Sequence, residues 1–140
     1  MKTVLANDFI KMNFDNSSSF METTWTTSIM MGQEQYRKLL KLYLEQLQIH
    51  KPKKLLIDSR VAEYVVTPED QDWINENVYP QTAQAGVRKL AFLIGTDLFM
   101  SLSLEQVAED SQKNEAVKSA IEQRFFDNYQ SALEWLQLGN

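Results

Sequence analysis

The chain contains no cysteine and only one histidine, His50. Without thiols there is no disulfide, no thiol nucleophile and no cysteine-ligated metal site. A reducing compartment suits such a composition. A Ser–His–acid triad would have to use His50, which stands in a basic turn, His50-Lys51-Pro52-Lys53-Lys54, with no serine placed beside it. Glycine-rich phosphate loops of either common form are missing. No apolar run approaches the roughly 20 residues that span a bilayer. Basic charge is in deficit, with 14 Lys and Arg against 19 Asp and Glu, a net charge of −5. Binding to nucleic acid needs a basic face, so that class is excluded. The opening residues Met1 to Asp8 turn polar before an apolar core develops, unlike a secretory signal. Repeats, linkers and low-complexity tracts are likewise missing. These absences lead us to expect a cytoplasmic, non-enzymatic protein with no cofactor, no metal and no transmembrane segment.

What is present is an ordinary globular composition, 44% hydrophobic and 24% charged over 140 residues. That length supports one domain over residues 1–140 with a real core. Ile10, Met12 and Phe14 alternate with Lys11 and Asn13, the pattern of a half-buried strand. The polar turn Asp15 to Ser19 leads to Phe20–Thr27, rich in Thr and aromatics, so the two form an antiparallel hairpin that Thr3–Ala6 can extend. Tyr36, Leu39, Leu40, Tyr43, Leu44 and Leu47 make one apolar stripe, which predicts a helix over 33–49. It ends before Pro52. The cations around His50 either complement the helix dipole or form a basic patch.

Lys54–Asp58 is a continuous apolar strand. Thr67 then caps a helix, with Pro68 at its first position and Asp70 where a capping-box carboxylate stands. Trp73, Ile74 and Val78 face inward; Pro80 should kink this helix and Gly86 should stop it. Lys89–Ile94 is a further strand, with Gly95-Thr96-Asp97 as turn and cap of a short helix from Leu98. Glu109 to Lys118 is polar and assigned no element. Ile121–Phe126 is the last strand. Asp127 or Asn128 caps a final helix that ends at Gly139. Strands alternating with helices imply parallel pairing through right-handed crossovers. The expected fold is α/β: a mixed sheet of about five strands, its N-terminal hairpin antiparallel and the rest parallel, with helices packed on it.

The carboxyl ends of parallel strands are where ligands gather in such sheets. Asp58, Ser59 and Arg60 follow one strand; Gly95, Thr96 and Asp97 follow another. Helix N-termini at Thr67 and Asp97 point the same way, and Arg60 is suited to a carboxylate or phosphate. The alternative is that Asp58 and Arg60 pair with each other and fix the loop. Trp73 and Trp135 are read as core anchors, or else as walls of an apolar pocket or a homodimer surface. Glu69, Asp70 and Asp72 make a poor metal site, since residues two apart on a helix diverge.

The hairpin, the helix from Gln33-Glu34-Gln35-Tyr36-Arg37, the strand ending Asp58-x-Arg60, the run Thr67-Pro68-Glu69-Asp70-Gln71-x-Trp73, the strand from Lys89 to Ile94 and the closing Phe126-Asp127-x4-Ala132-x2-Trp135-Leu136 follow one another in an order that resembles the SpoIIAA-like (STAS-like) superfamily, in particular its uncharacterised bacterial branch. The resemblance implies a small α/β regulatory or protein-interaction module that binds a protein partner or a second copy of itself. Some branches are thought to bind lipids or other hydrophobic ligands, which makes a carrier or sensor of a small hydrophobic or anionic ligand the alternative. The antagonist branch carries a phosphorylatable serine in an Asp-Ser-x-Gly motif. Here Asp58-Ser59 is followed by Arg60 and Val61, without the glycine.

Overall fold

A computed structural model describes residues 1–95 and 105–138 in full and residues 98–104 as backbone. Six strands form a single sheet in strictly sequential order: β1 (Lys2–Ala6), β2 (Ile10–Asp15), β3 (Phe20–Trp25), β4 (Lys54–Asp58), β5 (Lys89–Leu93) and β6 (Glu122–Phe126). The first three pair antiparallel; β3 through β6 pair parallel, as the intervening helices require. The sixth strand is β1, which sequence reading offered only as an extension of the hairpin. It is mostly exposed and slips register between Thr3 and Leu5, so its apolar alternation is weak.

Each parallel step advances one strand in the same direction. With right-handed crossovers, this places the connecting helices on one face of the sheet. They are α1 (Gln33–His50), α2 (Pro68–Trp73), α3 (Tyr79–Gln84), α4 (Leu98–Ser111) and α5 (Glu115–Ala120). The main core lies between that layer and Ile10, Met12, Met21, Trp25, Leu55, Leu90 and Phe92 of the sheet. On the opposite face α6 (Tyr129–Gln137) brings Ala132, Trp135 and Leu136 onto Phe20, Leu56, Ala91 and Leu93. Thus β4 and β5 are covered on both sides, which explains their unbroken apolar runs.

Local chemistry sets the element ends. Helix α1 presents its six predicted stripe residues to the core and stops where Lys51 enters the left-handed region (φ 49°), just ahead of Pro52. Thr67 caps α2 as the sequence predicts, with Asp70 completing the capping box. Pro80 has no N–H to donate. The chain responds with a π-helical turn over Ile74–Val78, in which the Tyr79 N–H reaches the Ile74 carbonyl five residues back. Gly86 ends α3 with φ +100°.

Residues 109–118 differ from expectation. Helix α4 runs on to Ser111, and Asn114 caps α5 by accepting from the N–H groups of Ala116 and Val117. Their polarity masks helices that bury few side chains, Val117 among them. Thr96, Asp97 and Gly139 lie outside the described residues, as do the side chains of Leu98 and Met100.

Candidate functional site

The residues singled out from sequence fall into separate environments. Arg60 turns its guanidinium back on Asp58, with Nη2 2.9 Å from Oδ2 and Nε 3.1 Å from Oδ1, and its backbone N–H also reaches Oδ1 at 3.1 Å. The bonds to Asp58 hold the guanidinium pKa above its ordinary value. This pair sits on the α6 face, where Arg60 overlies the Tyr129 ring at 5.9 Å and the Tyr129 hydroxyl donates to Glu22. Ser59 is buried and donates to the Leu93 carbonyl at 3.1 Å.

Thr67 and Trp73 lie on the other side of the sheet, around Asp70. Asp70 is fully buried. Its Oδ2 accepts from the Tyr64 hydroxyl at 2.6 Å and the Thr67 N–H at 3.0 Å; its Oδ1 accepts from Arg37 Nη2 at 3.1 Å and Nε at 3.2 Å. Burial pushes this carboxyl up, but the bonds from Tyr64, Thr67 and Arg37 outweigh it and hold the group below its ordinary range. Arg37 also lies 5.0 Å over the Trp73 ring. Trp73, expected inward, packs half-buried against the main core with that cation over its ring. The sequence showed the capping box, but Arg37 and Tyr64 come from 33 and 6 residues away and could not be read with it.

On the α1 face of the sheet, toward the carboxyl ends of β3, β4 and β5, is a cavity of about 90 Å³. Its floor is sheet: Trp25, Ile57, Leu90 and Phe92. Its walls are Tyr36, Leu40 and Tyr43 of α1, Tyr64 and Val66 of the following loop, and Ile74, Val78 and Tyr79 of the π-turn region. The π-turn thus brings its two buried side chains and the tyrosine after it to one hollow. Such turns recur at functional sites. Most lining side chains are buried; Ile57 and Ala62 are half-buried.

Of these aromatics, the sequence assigns Tyr36 and Tyr43 to the core stripe of α1. The available signal was the presence of tyrosine, a residue with a polar end, at two stripe positions, Tyr36 and Tyr43, seven apart on α1. Tyr36 stacks on Tyr64 with centroids 4.1 Å apart, and Trp25 meets Tyr43 edge-on at 5.5 Å. Among the described residues no three His, Asp or Glu come together as cation ligands, and no helix is long and apolar enough to cross a membrane.

The chain matches no protein-family model, no curated protein and no solved structure in the three comparisons made.

Proposed function

We propose that this chain is a non-enzymatic binding module of the STAS-like type that senses or carries a small hydrophobic molecule, held in the cavity under α1 and the π-turn. One observation carries the reading: a hollow of about 90 Å³ walled by aromatic and aliphatic side chains toward the carboxyl ends of the parallel strands. Native interiors leave few voids larger than a water molecule, and open α/β sheets bind ligands at that edge. The order of elements supports the STAS-like part, and the lack of cysteine supports a cytoplasmic setting.

A specific feature favours the second reading, a protein-interaction surface. The loop after β3 exposes Ile29 and Met30, and the loop after β4 exposes Val61 and Val65. The two loops are joined by the Glu63 N–H bonding the Thr27 carbonyl at 2.9 Å. Exposed apolar groups on neighbouring loops suit a protein partner or a second copy of this chain.

Solvent extraction of the purified protein, followed by mass spectrometry, tests the leading reading. The expected result is a small apolar molecule in the extract, together with a rise in melting temperature on adding volatile hydrocarbons and small cyclic compounds. No bound molecule, and no shift with any added compound, would reject it. Met30→Asp combined with Val61→Asp tests the second: a protein-interaction role predicts loss of self-association or partner capture while the melting curve is unchanged.

A further inference from the structure

The two edges of the sheet differ. At one edge β1 carries Lys2 and slips register between Thr3 and Leu5. Lysine and an irregular register both keep an edge from pairing. At the other edge β6, Glu122–Phe126, has no lysine, no proline and no slip in its pairing with β5. Its inner side is fixed at both ends: the Glu122 N–H bonds the Arg88 carbonyl and the Phe126 carbonyl accepts from the Ile94 N–H, each at 2.9 Å. Alternate residues of a parallel strand bond the same neighbour. Glu122, Arg124 and Phe126 therefore bond toward β5, while Gln123 and Phe125 turn their backbone N–H and C=O groups outward. Among the described residues no further strand receives them. An open groove lies alongside, lined by Ile121, Gln123 and Phe125 of this segment and by Ala108, Glu109 and Gln112 of α4. The helix layer thus leaves the edge open.

The side chains of β6 carry a self-complementary charge pattern. Glu122 and Arg124 are exposed and share one face, being two apart on a strand. Among the described residues neither takes part in an ion pair. The Arg124 guanidinium lies 5.5 Å over the Phe126 ring, which holds it along the strand. When two such strands run antiparallel about a two-fold axis at Gln123, position 122 of each faces position 124 of the other. Glu122 then meets Arg124 twice, at the close, non-hydrogen-bonded sites where opposite charges stabilise. Other registers lose this. An axis at Arg124 sets two guanidinium groups face to face, which is unfavourable. An axis at Phe125 leaves Glu122 facing beyond the partner strand's end.

We infer that β6 is a self-association edge: two copies of this chain pair antiparallel through β6 about a two-fold axis at Gln123, so that one sheet runs through both. The two Gln123 residues exchange their N–H and C=O groups, and each Phe125 N–H donates to the Ile121 carbonyl of the second copy. Ile121 is already extended, with φ −119° and ψ 122°, so the strand line reaches it without rearrangement. The interface is isologous and closes on itself, leaving no edge at β6 for further growth. This inference is independent of the cavity, and it uses a surface other than the apolar loops after β3 and β4.

Sedimentation velocity on the full chain, from about 1 to about 300 µM, tests this, since a small edge interface associates weakly. The expected result is a shift from monomer to dimer within that range. Arg124→Glu and Glu122→Arg each set like charges opposite one another, and each should weaken association about tenfold or more. The double variant, with both exchanges, restores the pairing and should associate within about threefold of the wild type. Both positions are exposed, and a melting curve checks that each variant folds. Where a reversal lowers the melting temperature, Arg124→Gln and Glu122→Gln replace it and should weaken association several-fold. Amide hydrogen exchange locates the contact: the Gln123 and Phe125 N–H groups should exchange freely in dilute protein and slow about tenfold or more where the dimer predominates. Met30→Asp combined with Val61→Asp should leave the association unchanged. A monomer at every concentration would overturn the inference. So would single reversals without effect, a double variant that stays monomeric, or loss of association in the loop variant.

Discussion

A Cβ added to Gly95 would stand 2.7 Å from the carbonyl oxygen of Arg60. The chain leaving β5 passes directly against the chain leaving β4, and only the missing side chain permits it. The obstacle is backbone, so it cannot swing aside as a side-chain tip would. Gly95→Ala should therefore cost about 1–3 kcal/mol, the range for overpacking a tight site. A urea melt checks this; a loss under about 0.5 kcal/mol would mean the two loops part freely.

Arg60 is tied to Asp58 rather than held out toward solvent as a free clamp, which allows a definite expectation for its removal. The Arg60 side chain is 44% exposed, and that of Asp58 12%. After Arg60→Ala the backbone N–H at position 60 still bonds Asp58, and water reaches the carboxylate's rim. The loss should be about 1 kcal/mol or less, as for other solvent-screened pairs. Adding Asp58→Asn should recover part of it. A loss of several kcal/mol in the melting curve would show Asp58 to be an uncompensated buried charge instead.

Asp70 joins α1, α2 and the loop before α2 through one carboxylate, and the sign of its pH dependence follows. Its pKa in the folded protein is below the ordinary value, so it contributes stability above the unfolded-chain value of about 4. That contribution is lost as pH falls from about 4 through the lower folded value. Asp70→Asn should lower stability at neutral pH by about 2–3 kcal/mol, the scale of hydrogen bonds to a charged group. It should also flatten the acid limb of a stability–pH curve. A variant whose acid limb matches the wild type would show that other carboxylates govern acid unfolding.

The parts of this fold that were legible in sequence are those that chemistry decides locally. The α1 stripe, the Thr67-Pro68-Asp70 helix start, the Gly86 stop and the order of hairpin and parallel strands each depend on residues close in the chain. Asp58 and Arg60, two positions apart, could be read as a pair for the same reason. The cavity was not legible, because Tyr36 and Tyr43 read as core whether or not the space in front of them is filled. That space depends on how α1, the π-turn and the sheet meet, a relation among residues as distant as Trp25 and Val107. Pro80 signalled a disturbance, but only the tertiary packing turns a kink into a π-turn that faces the hollow. The cation over Trp73 was not legible, because Arg37 belongs to another helix.

All five tyrosines of the chain, Tyr36, Tyr43, Tyr64, Tyr79 and Tyr129, have pKa values raised above the ordinary value near 10, in each case chiefly by burial. Hydrogen bonding to Glu22 adds to the effect at Tyr129, which is pushed up to about 12; the other four lie higher. The folded state thus holds these phenol protons more tightly than the unfolded chain does. The resulting stability is fully present below about pH 10 and is lost as pH rises toward the folded values. An alkaline titration followed by tyrosinate absorption should show no ionisation near pH 10. The signal should instead rise in one cooperative step that coincides with loss of far-ultraviolet circular dichroism. Tyr129→Phe should remove one fifth of the amplitude and leave the onset unchanged or later. If two tyrosines ionise near pH 10 while the fold persists, and Tyr36→Phe and Tyr43→Phe each remove one of them, water reaches these phenols through the cavity under α1.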